Sequence, residues 1–412
     1  MAAQTQSAEV EFCTLGMFII DDIDFGGSRP GVKNIIGGAA SYAVIGARLV
    51  SGSEYARAVS WIVDVGSDFP AETFEVIKSW NTDCVFREDH SRLTTRAWNG
   101  YHPNEKRGKL LAISLERTRA VTDPTDFKYL TPKLRLEPEM LSDKQIWSKT
   151  FHMVCSASRC ISIVQHILQR RETLQQAGKA PSAVHASKRP IFVWEPVPDL
   201  CTPAEQEKFF AANKVVDVVS PNHMELGMMF DQPGWTEESQ VGQQLVQRIT
   251  ESGIGPDRNG LLVIRAGKDG CYAYSRSTKI WLPAYHRPDP SGATPVIDPT
   301  GAGNSFLGAL AQGMVTTGRE PFQVIDSVLS DSKTWKKALQ SWNNYQHYPM
   351  ALICATVAAG FVVEQIGVPQ IKVDGEGKEL WNQTEFTERV RLYTQRLLRT
   401  LEESPGRHLL TN

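Results

Sequence analysis

Apolar positions along the chain alternate between two patterns. Short continuous runs bounded by glycine, proline or aspartate read as buried strands, and longer stretches with apolar residues every three or four positions read as helices. The first kind comprises "VEFCTLGMFII", "AVSWIVDVG", "TFHMVCSAS", "RPIFVWEPVP" (stopped by two prolines), "KVVDVVSPNHMEL" with a helix following, and "NGLLVIRAGKDGCYAYS", a strand, glycine turn and returning strand. The second includes "AASYAVIGARLV", "YPMALICATVAAGFVVEQIG" and a final segment in which Phe386, Val390, Tyr393, Leu397 and Leu401 fall at helical spacing. Strands alternating with helices predict an α/β fold with a helix-covered, largely parallel sheet in one large domain.

Three stretches break this rhythm. Residues 91–110 are polar, aromatic and strand-prone, the pattern of an exposed ribbon or lid, with Trp98, Tyr101 and His102 placed either to meet a substrate or to pack on one another. Residues 115–150 are charged and proline-spaced, which predicts an insertion over the surface. The end, "ESPGRHLLTN", reads as a loose tail.

Composition narrows the partners. The 44 basic and 46 acidic residues of this 412-residue chain leave a net charge of −2, so no overall field favours nucleic acid or an anionic membrane, and a small-molecule partner is expected. Seven scattered cysteines without a CxxC pair predict reduced thiols in an intracellular compartment, without zinc. The start "MAAQTQSAEVEF" lacks a signal core, and no run reaches about 18 uninterrupted apolar residues, so a cytoplasmic protein is expected.

Candidate chemistry centres on "IDPTGAGNSFLGAL", residues 297–310, a strand end, a glycine turn and a helix start. Backbone N–H groups of Gly301, Ala302 and Gly303 ahead of a helix N-terminus make an anion hole that needs no lysine. Taken alone, the stretch is equally a plain strand-to-helix turn. "SPNHMEL" places Asn222 and Glu225 on one turn of a helix start, and "IRAGKDG" supplies Gly267 and Gly270 in a tight turn; either alone is unremarkable. Neither GxxxxGK[ST] nor a convincing GxGxxG occurs, which argues against P-loop ATPases and Rossmann dehydrogenases.

In their order along the chain these pieces resemble the PfkB sugar-kinase family, with its ribokinase-like fold. "DPTGAGNSFLGAL" resembles the family's DTxGAGD motif, "SPNHMEL" its NxxE motif, "IRAGKDG" its nucleotide turn, "GGAASYAVIGARL" its GGAxxN motif, "GMFIID" its first strand, and "WEPVPDL" its proline-containing strand end. The resemblance implies a three-layer αβα sandwich with a small β lid. It places a kinase domain over residues 10–370, with the lid from about 22–36 and 91–110, and a C-terminal helix and tail over 371–412. It further implies phosphoryl transfer from Mg-ATP to an alcohol of a sugar or nucleoside, often with a monovalent cation, by a monomer or lid-mediated dimer. By the same resemblance Gly301, Ala302 and Gly303 would hold the transferring phosphoryl group. Asn222 and Glu225 would arrange magnesium through water, and Gly267, Gly270, Asp298 and Thr300 would lie on the nucleotide side. Asp21, with Asp22 its immediate rival, would hold a substrate hydroxyl next to Gly37, Gly38 and position 42.

The sequence departs from the family pattern at two points. The carboxylate that takes the proton from the attacking hydroxyl is replaced by Asn304, whose amide has no useful basicity. The sugar-binding asparagine of GGAxxN is replaced by Tyr42, and "MVCSAS" offers no acidic substrate ligand. Two readings follow: a slow kinase working without the standard base, or a pseudokinase that binds nucleotide or acts as a scaffold. The general pattern also resembles a fungal branch of the family linked to maintenance of a double-stranded RNA killer virus.

Overall fold

The apolar runs become fifteen strands among the described residues. In chain order these are β1 (Phe12–Thr14), β2 (Ile19–Asp24), β3 (Val32–Gly37), β4 (Val59–Val65), β5 (Asp83–Glu88), β6 (Arg96–Gly100), β7 (Phe127–Tyr129) and β8 (Thr150–Cys155). They continue as β9 (Ile191–Pro196), β10 (Val218–Val219), β11 (Leu261–Arg265), β12 (Cys271–Tyr274), β13 (Lys279–Leu282), β14 (Ile371–Val373) and β15 (Glu379–Trp381). The structure is a computed structural model and describes residues 9–25, 30–100, 127–181, 188–289, 291–316, 318–342 and 347–403.

Nine strands form one sheet in the order β13-β12-β11-β10-β9-β8-β1-β4-β5. From β11 to β5 every neighbouring pair is parallel, and the antiparallel β12 and β13 complete one edge. Successive residues of a strand point to opposite faces, and here both faces are buried: Leu261 and Val263 enter one core, Leu262 and Ile264 the other. Helices Gly38–Ser51, Ala302–Gly313, His347–Val362 and Phe386–Glu403 pack on the first face, and helices Ala157–Gln176, Gln206–Asn213 and Gln240–Ser252 on the second. The result is a three-layer α/β sandwich, as the resemblance implies. No helix among the described residues is long and apolar enough to cross a membrane.

A second, four-stranded sheet has the order β3-β2-β6-β7, with β2 and β6 parallel and both outer pairs antiparallel. It explains one difference from the sequence reading. "VEFCTLGMFII" is not one strand but two, because the chain leaves the main sheet after Thr14 and enters the small one at Ile19. Gly16 makes the crossing possible: a Cβ there would lie 2.7 Å from the Ala40 nitrogen. Residues 101–126, with Tyr101 and His102, lie outside the described residues.

The stretch expected as a surface insertion also differs where it is described. Leu136, Leu141, Ile146 and Trp147 are buried in the second core. Arg159 and Arg170 donate to the carbonyls of Leu136, Pro138 and Leu141 and so fasten this segment to helix Ala157–Gln176. Irregular backbone is tolerated there because long guanidinium donors satisfy its carbonyls. The terminal helix lies as its spacing predicts, with Phe386, Val390, Tyr393, Leu397 and Leu401 buried. Burial alone would raise the pKa of Glu364, but hydrogen bonds from His286, Arg389 and Asn382 hold its carboxyl down to about 2, tying this helix to the main body.

The position of helix Ala302–Gly313 depends on two glycines. A Cβ on Gly46 would meet the Ser305 carbonyl oxygen at 1.9 Å, and a Cβ on Gly308 would meet that of Ala43 at 1.9 Å. Helix Gly38–Ser51 therefore touches it backbone to backbone, closer than side chains would permit. Gly308→Ala should push the two helices apart and destabilise the fold by about 1–3 kcal/mol, measurable by urea denaturation. An unchanged midpoint would mean that this contact does not set the helix position.

Candidate functional site

The carboxyl ends of the parallel strands converge on the start of helix Ala302–Gly313, the edge where open α/β sheets carry their ligands. The approach is fixed by an Asp298 turn in which its Oδ1 accepts from the Thr300 N–H at 2.9 Å. Gly301 is left-handed, with φ +79°, and caps the helix. The Ala302 N–H donates to the Pro299 carbonyl at 3.2 Å, and that of Ser305 to the Gly301 carbonyl at 2.9 Å. The N–H groups of Gly303 and Asn304 have no acceptor among the described residues. The cradle expected from Gly301, Ala302 and Gly303 is thus shifted, since the Ala302 N–H is already engaged, and it is Gly303 and Asn304 that offer donors beside Gly301.

The Asn304 side chain is not free. Its amide nitrogen donates to Glu195 Oε2 at 2.7 Å, at the end of β9. Glu195 Oε1 in turn meets Arg265 Nη2 at 2.8 Å, and the same nitrogen lies 3.0 Å from the Ser220 carbonyl and 3.4 Å from Glu225 Oε2. A chain of groups therefore runs Asn304, Glu195, Arg265, Glu225 along the strand ends. The guanidinium also presses on the glycine turn, for a Cβ on Gly303 would lie 2.0 Å from Arg265 Nη1. Burial alone would lower the pKa of Arg265, but Glu195 and Glu225 raise it above its ordinary value, so the charge is kept.

Asn222 and Glu225 are brought together as the NxxE spacing requires, in a reciprocal capping box. Asn222 Oδ1 accepts from the N–H groups of Met224 and Glu225 at 2.9 and 2.8 Å, and Glu225 Oε2 accepts from the Asn222 N–H at 2.7 Å. This arrangement is a poor fit to the expected role in arranging magnesium through water. The Asn222 oxygen is committed to the helix start, one Glu225 oxygen is shared between a backbone donor and a guanidinium, and Glu225 is only 4% exposed. A divalent cation in front of this carboxylate would also face the Arg265 charge. Burial, reinforced by Glu195 and opposed by Arg265 and the Asn222 N–H, pushes the Glu225 carboxyl up to about 7.

The two glycines of "IRAGKDG" serve different ends. Gly267 has φ +56° and open space where a Cβ would stand, as a surface that receives a ligand requires. Gly270 has φ +88°, and its Cβ would meet the Leu282 carbonyl oxygen at 2.0 Å, so its lack of a side chain lets β13 approach.

On the opposite side, Asp21 is buried and its Oδ2 would lie 2.0 Å from a Cβ on Gly37, while Gly38, at φ +83°, lets the chain pass the Met17 carbonyl. Asp22 turns the other way, accepting from the Asn34 N–H at 3.1 Å and facing Arg96 at 3.9 Å, which makes it a hairpin residue. Tyr42 is 3% exposed, and its ring lies flat where a Gly301 Cβ would be, at 2.3–2.4 Å. The phenol therefore fills the corner between the two helix starts. Trp98 is half-buried on β6 of the small sheet, paired with Asp22. His223 is the first helical residue after Asn222 and approaches the Arg265 carbonyl at 3.4 Å.

Residues 187–341 match the model of the pfkB family of carbohydrate kinases. The protein MAK32 of Saccharomyces cerevisiae is 32% identical over 400 residues, covering 92% of this chain and 91% of that protein. This chain belongs to the pfkB carbohydrate kinase family. An uncharacterized protein of Schizosaccharomyces pombe is 31% identical over 94% of this chain and 93% of its own length, which is consistent with the fungal maintenance-of-killer branch. Among solved structures, a ribokinase II of Escherichia coli in complex with ATP and Mg2+ superposes with a TM-score of 0.53 at 15% identity, over 94% of this chain and 99% of that one. At that identity the likeness shows the pfkB fold.

Two residues of this pfkB site escaped sequence reasoning, Glu195 and Arg265. The signal was present: each is a lone charge at the end of an otherwise apolar strand, in "IFVWEP" and "LLVIR". Opposite charges at the same end of two buried strands separated only by the short β10 are expected to find each other.

Glu225 supplies a pH test. Its folded value of about 7 lies above its ordinary 4.5, so between those values the folded chain holds a proton that the unfolded chain releases. Stability from this group is complete below about pH 4.5 and is lost as pH rises through about 7. Glu225→Gln, which keeps an acceptor for the Asn222 N–H, should flatten the fall in stability between pH 5 and 8, read by denaturation midpoints at several pH values. Parallel curves for the two proteins would mean that Glu225 is ionised throughout.

Proposed function

We propose that this chain is a nucleotide-binding member of the pfkB family in which phosphoryl transfer to an alcohol is impaired. The observation that carries this is the Asn304 side chain, held as a donor to Glu195 at 2.7 Å where the family pattern implies a general base. An amide turned this way presents nothing that can take a proton from an attacking hydroxyl. Tyr42, buried against Gly301, supports the same reading, because the corner that would admit a sugar or nucleoside hydroxyl is filled by its ring. The free N–H groups of Gly303 and Asn304 and the open Gly267 turn are what a nucleotide phosphate and ribose would use. The small sheet carrying Asp21 would act as the lid on the acceptor side.

A slow kinase is the second reading, favoured by the Glu195 carboxylate within hydrogen-bond reach of Asn304. Transition-state charge in phosphoryl transfer is spread over the equatorial oxygens, so a cradle alone retains part of the catalysis.

The test is transfer of labelled γ-phosphate from ATP, with magnesium supplied, to a panel of sugars and nucleosides, run alongside nucleotide binding. The wild type should bind ATP and show no transfer above the protein-free blank. Asn304→Asp alone should gain little, because two carboxyls at hydrogen-bond distance share one proton. Combined with Glu195→Gln it should gain a share of the roughly 10²–10⁴-fold that a general base supplies. Turnover by the wild type would sink the impaired-enzyme reading in favour of the slow kinase.

A further inference from the structure

The site contains a cation that is part of the chain. Arg265 ends β11, the strand before the Gly267 turn, and its side chain is 12% exposed. Its Nη2 is anchored by Glu195, Glu225 and the Ser220 carbonyl. The other two nitrogens are not: Nη1 and Nε have no hydrogen-bond acceptor among the described residues, and Nε is buried. Nη1 stands against Gly303, beside the N–H groups of Gly303 and Asn304 that are also without acceptors. One guanidinium donor, Nη1, and the helix-start N–H groups thus meet at Gly303, and both are donors only. What such a meeting point accepts is an oxyanion, with phosphate oxygens the best match to a planar fork that cannot lose its proton.

The residues that would arrange a metal have been turned to another use. Asn222 and Glu225 close a capping box on themselves, and the outward direction from Glu225 Oε2 is taken by Arg265. We infer that Arg265 takes the place of the magnesium ion: nucleotide phosphates at the start of helix Ala302–Gly313 are neutralised by its guanidinium, and binding is independent of divalent metal. This rests on the reading that the chain binds nucleotide, and it deepens that reading by naming the residue that meets the phosphates. The two carboxylates are compatible with it, since they hold Nη2 in place and orient the remaining donors towards the cradle.

Calorimetric titration of the full chain with ATP and with ADP, in excess magnesium and again in EDTA, tests the inference without any variant. The two conditions should give dissociation constants within about threefold of one another, far less than loss of a required metal ion would cause. Arg265→Lys keeps a charge but loses the fork, and it should weaken ATP and ADP by about tenfold or more while leaving adenosine, which carries no phosphate, unchanged. A purely structural role for Arg265 would weaken all three ligands alike and overturn the assignment. Binding that appears only with magnesium would overturn the inference and leave the nucleotide-binding reading standing, whereas no binding in either condition would overturn both.

Discussion

Arg265, wedged between Glu195 and Glu225, is the constraint around which this edge of the molecule is built. A guanidinium and two carboxyl groups taken out of water carry a large desolvation cost, and only close geometry with further hydrogen bonds offsets it. Those further bonds come from two separate pieces of chain: the turn after β10, through the Ser220 carbonyl and the Asn222 N–H, and the start of helix Ala302–Gly313, through the Asn304 amide. Moving any one of them leaves a buried charge short of a partner, which typically costs more than the intact arrangement contributes. The turn after β10, the end of β9, the end of β11 and the start of helix Ala302–Gly313 are in this way linked by electrostatics as well as by the packing of the sandwich.

The same constraint explains why glycine is required where it is. Helix Ala302–Gly313 must come close enough for Asn304 to reach Glu195, yet its first turn must clear both the Tyr42 ring and the Arg265 guanidinium. Gly301 and Gly303 provide that clearance, and Gly46 and Gly308 let the helix sit directly on its neighbour's backbone. Packing of the sandwich and geometry of the site are therefore one problem, solved by residues without side chains.

Much of the architecture was legible because it rests on local periodicity. Strands buried on both faces read as unbroken apolar runs, and the last helix announces itself at Phe386, Val390, Tyr393, Leu397 and Leu401. The division of "VEFCTLGMFII" into two strands was not legible, since Gly16 marks a crossing only when Ala40 is known to lie against it. Nor was the burial of Leu136, Leu141, Ile146 and Trp147, where arginines from a later helix satisfy the backbone. At the site, Asn222 and Glu225 were found by spacing and Asn304 and Tyr42 by departure from a pattern. Glu195 and Arg265 were missed because their partner lies in another strand, some seventy positions away, and single-chain spacing does not report such pairs.

Asn304 gains a meaning from Glu195 that it lacks when taken alone. A carboxylate at 304 would stand at hydrogen-bond distance from the Glu195 carboxylate in a poorly hydrated site, and like charges so placed cannot both remain ionised. An amide removes the conflict and adds a bond, donating where a carboxylate would repel. The exchange at 304 and the acid at 195 are thus consistent as a pair: one removes a negative charge from the helix start, and the other places one at the strand end beside it, where Arg265 neutralises it. The negative charge stands not at the helix start, where the family pattern has it, but at a strand end, where it anchors the Arg265 cation beside that helix start. That placement fits a site organised to hold an anion better than one organised to deprotonate an alcohol.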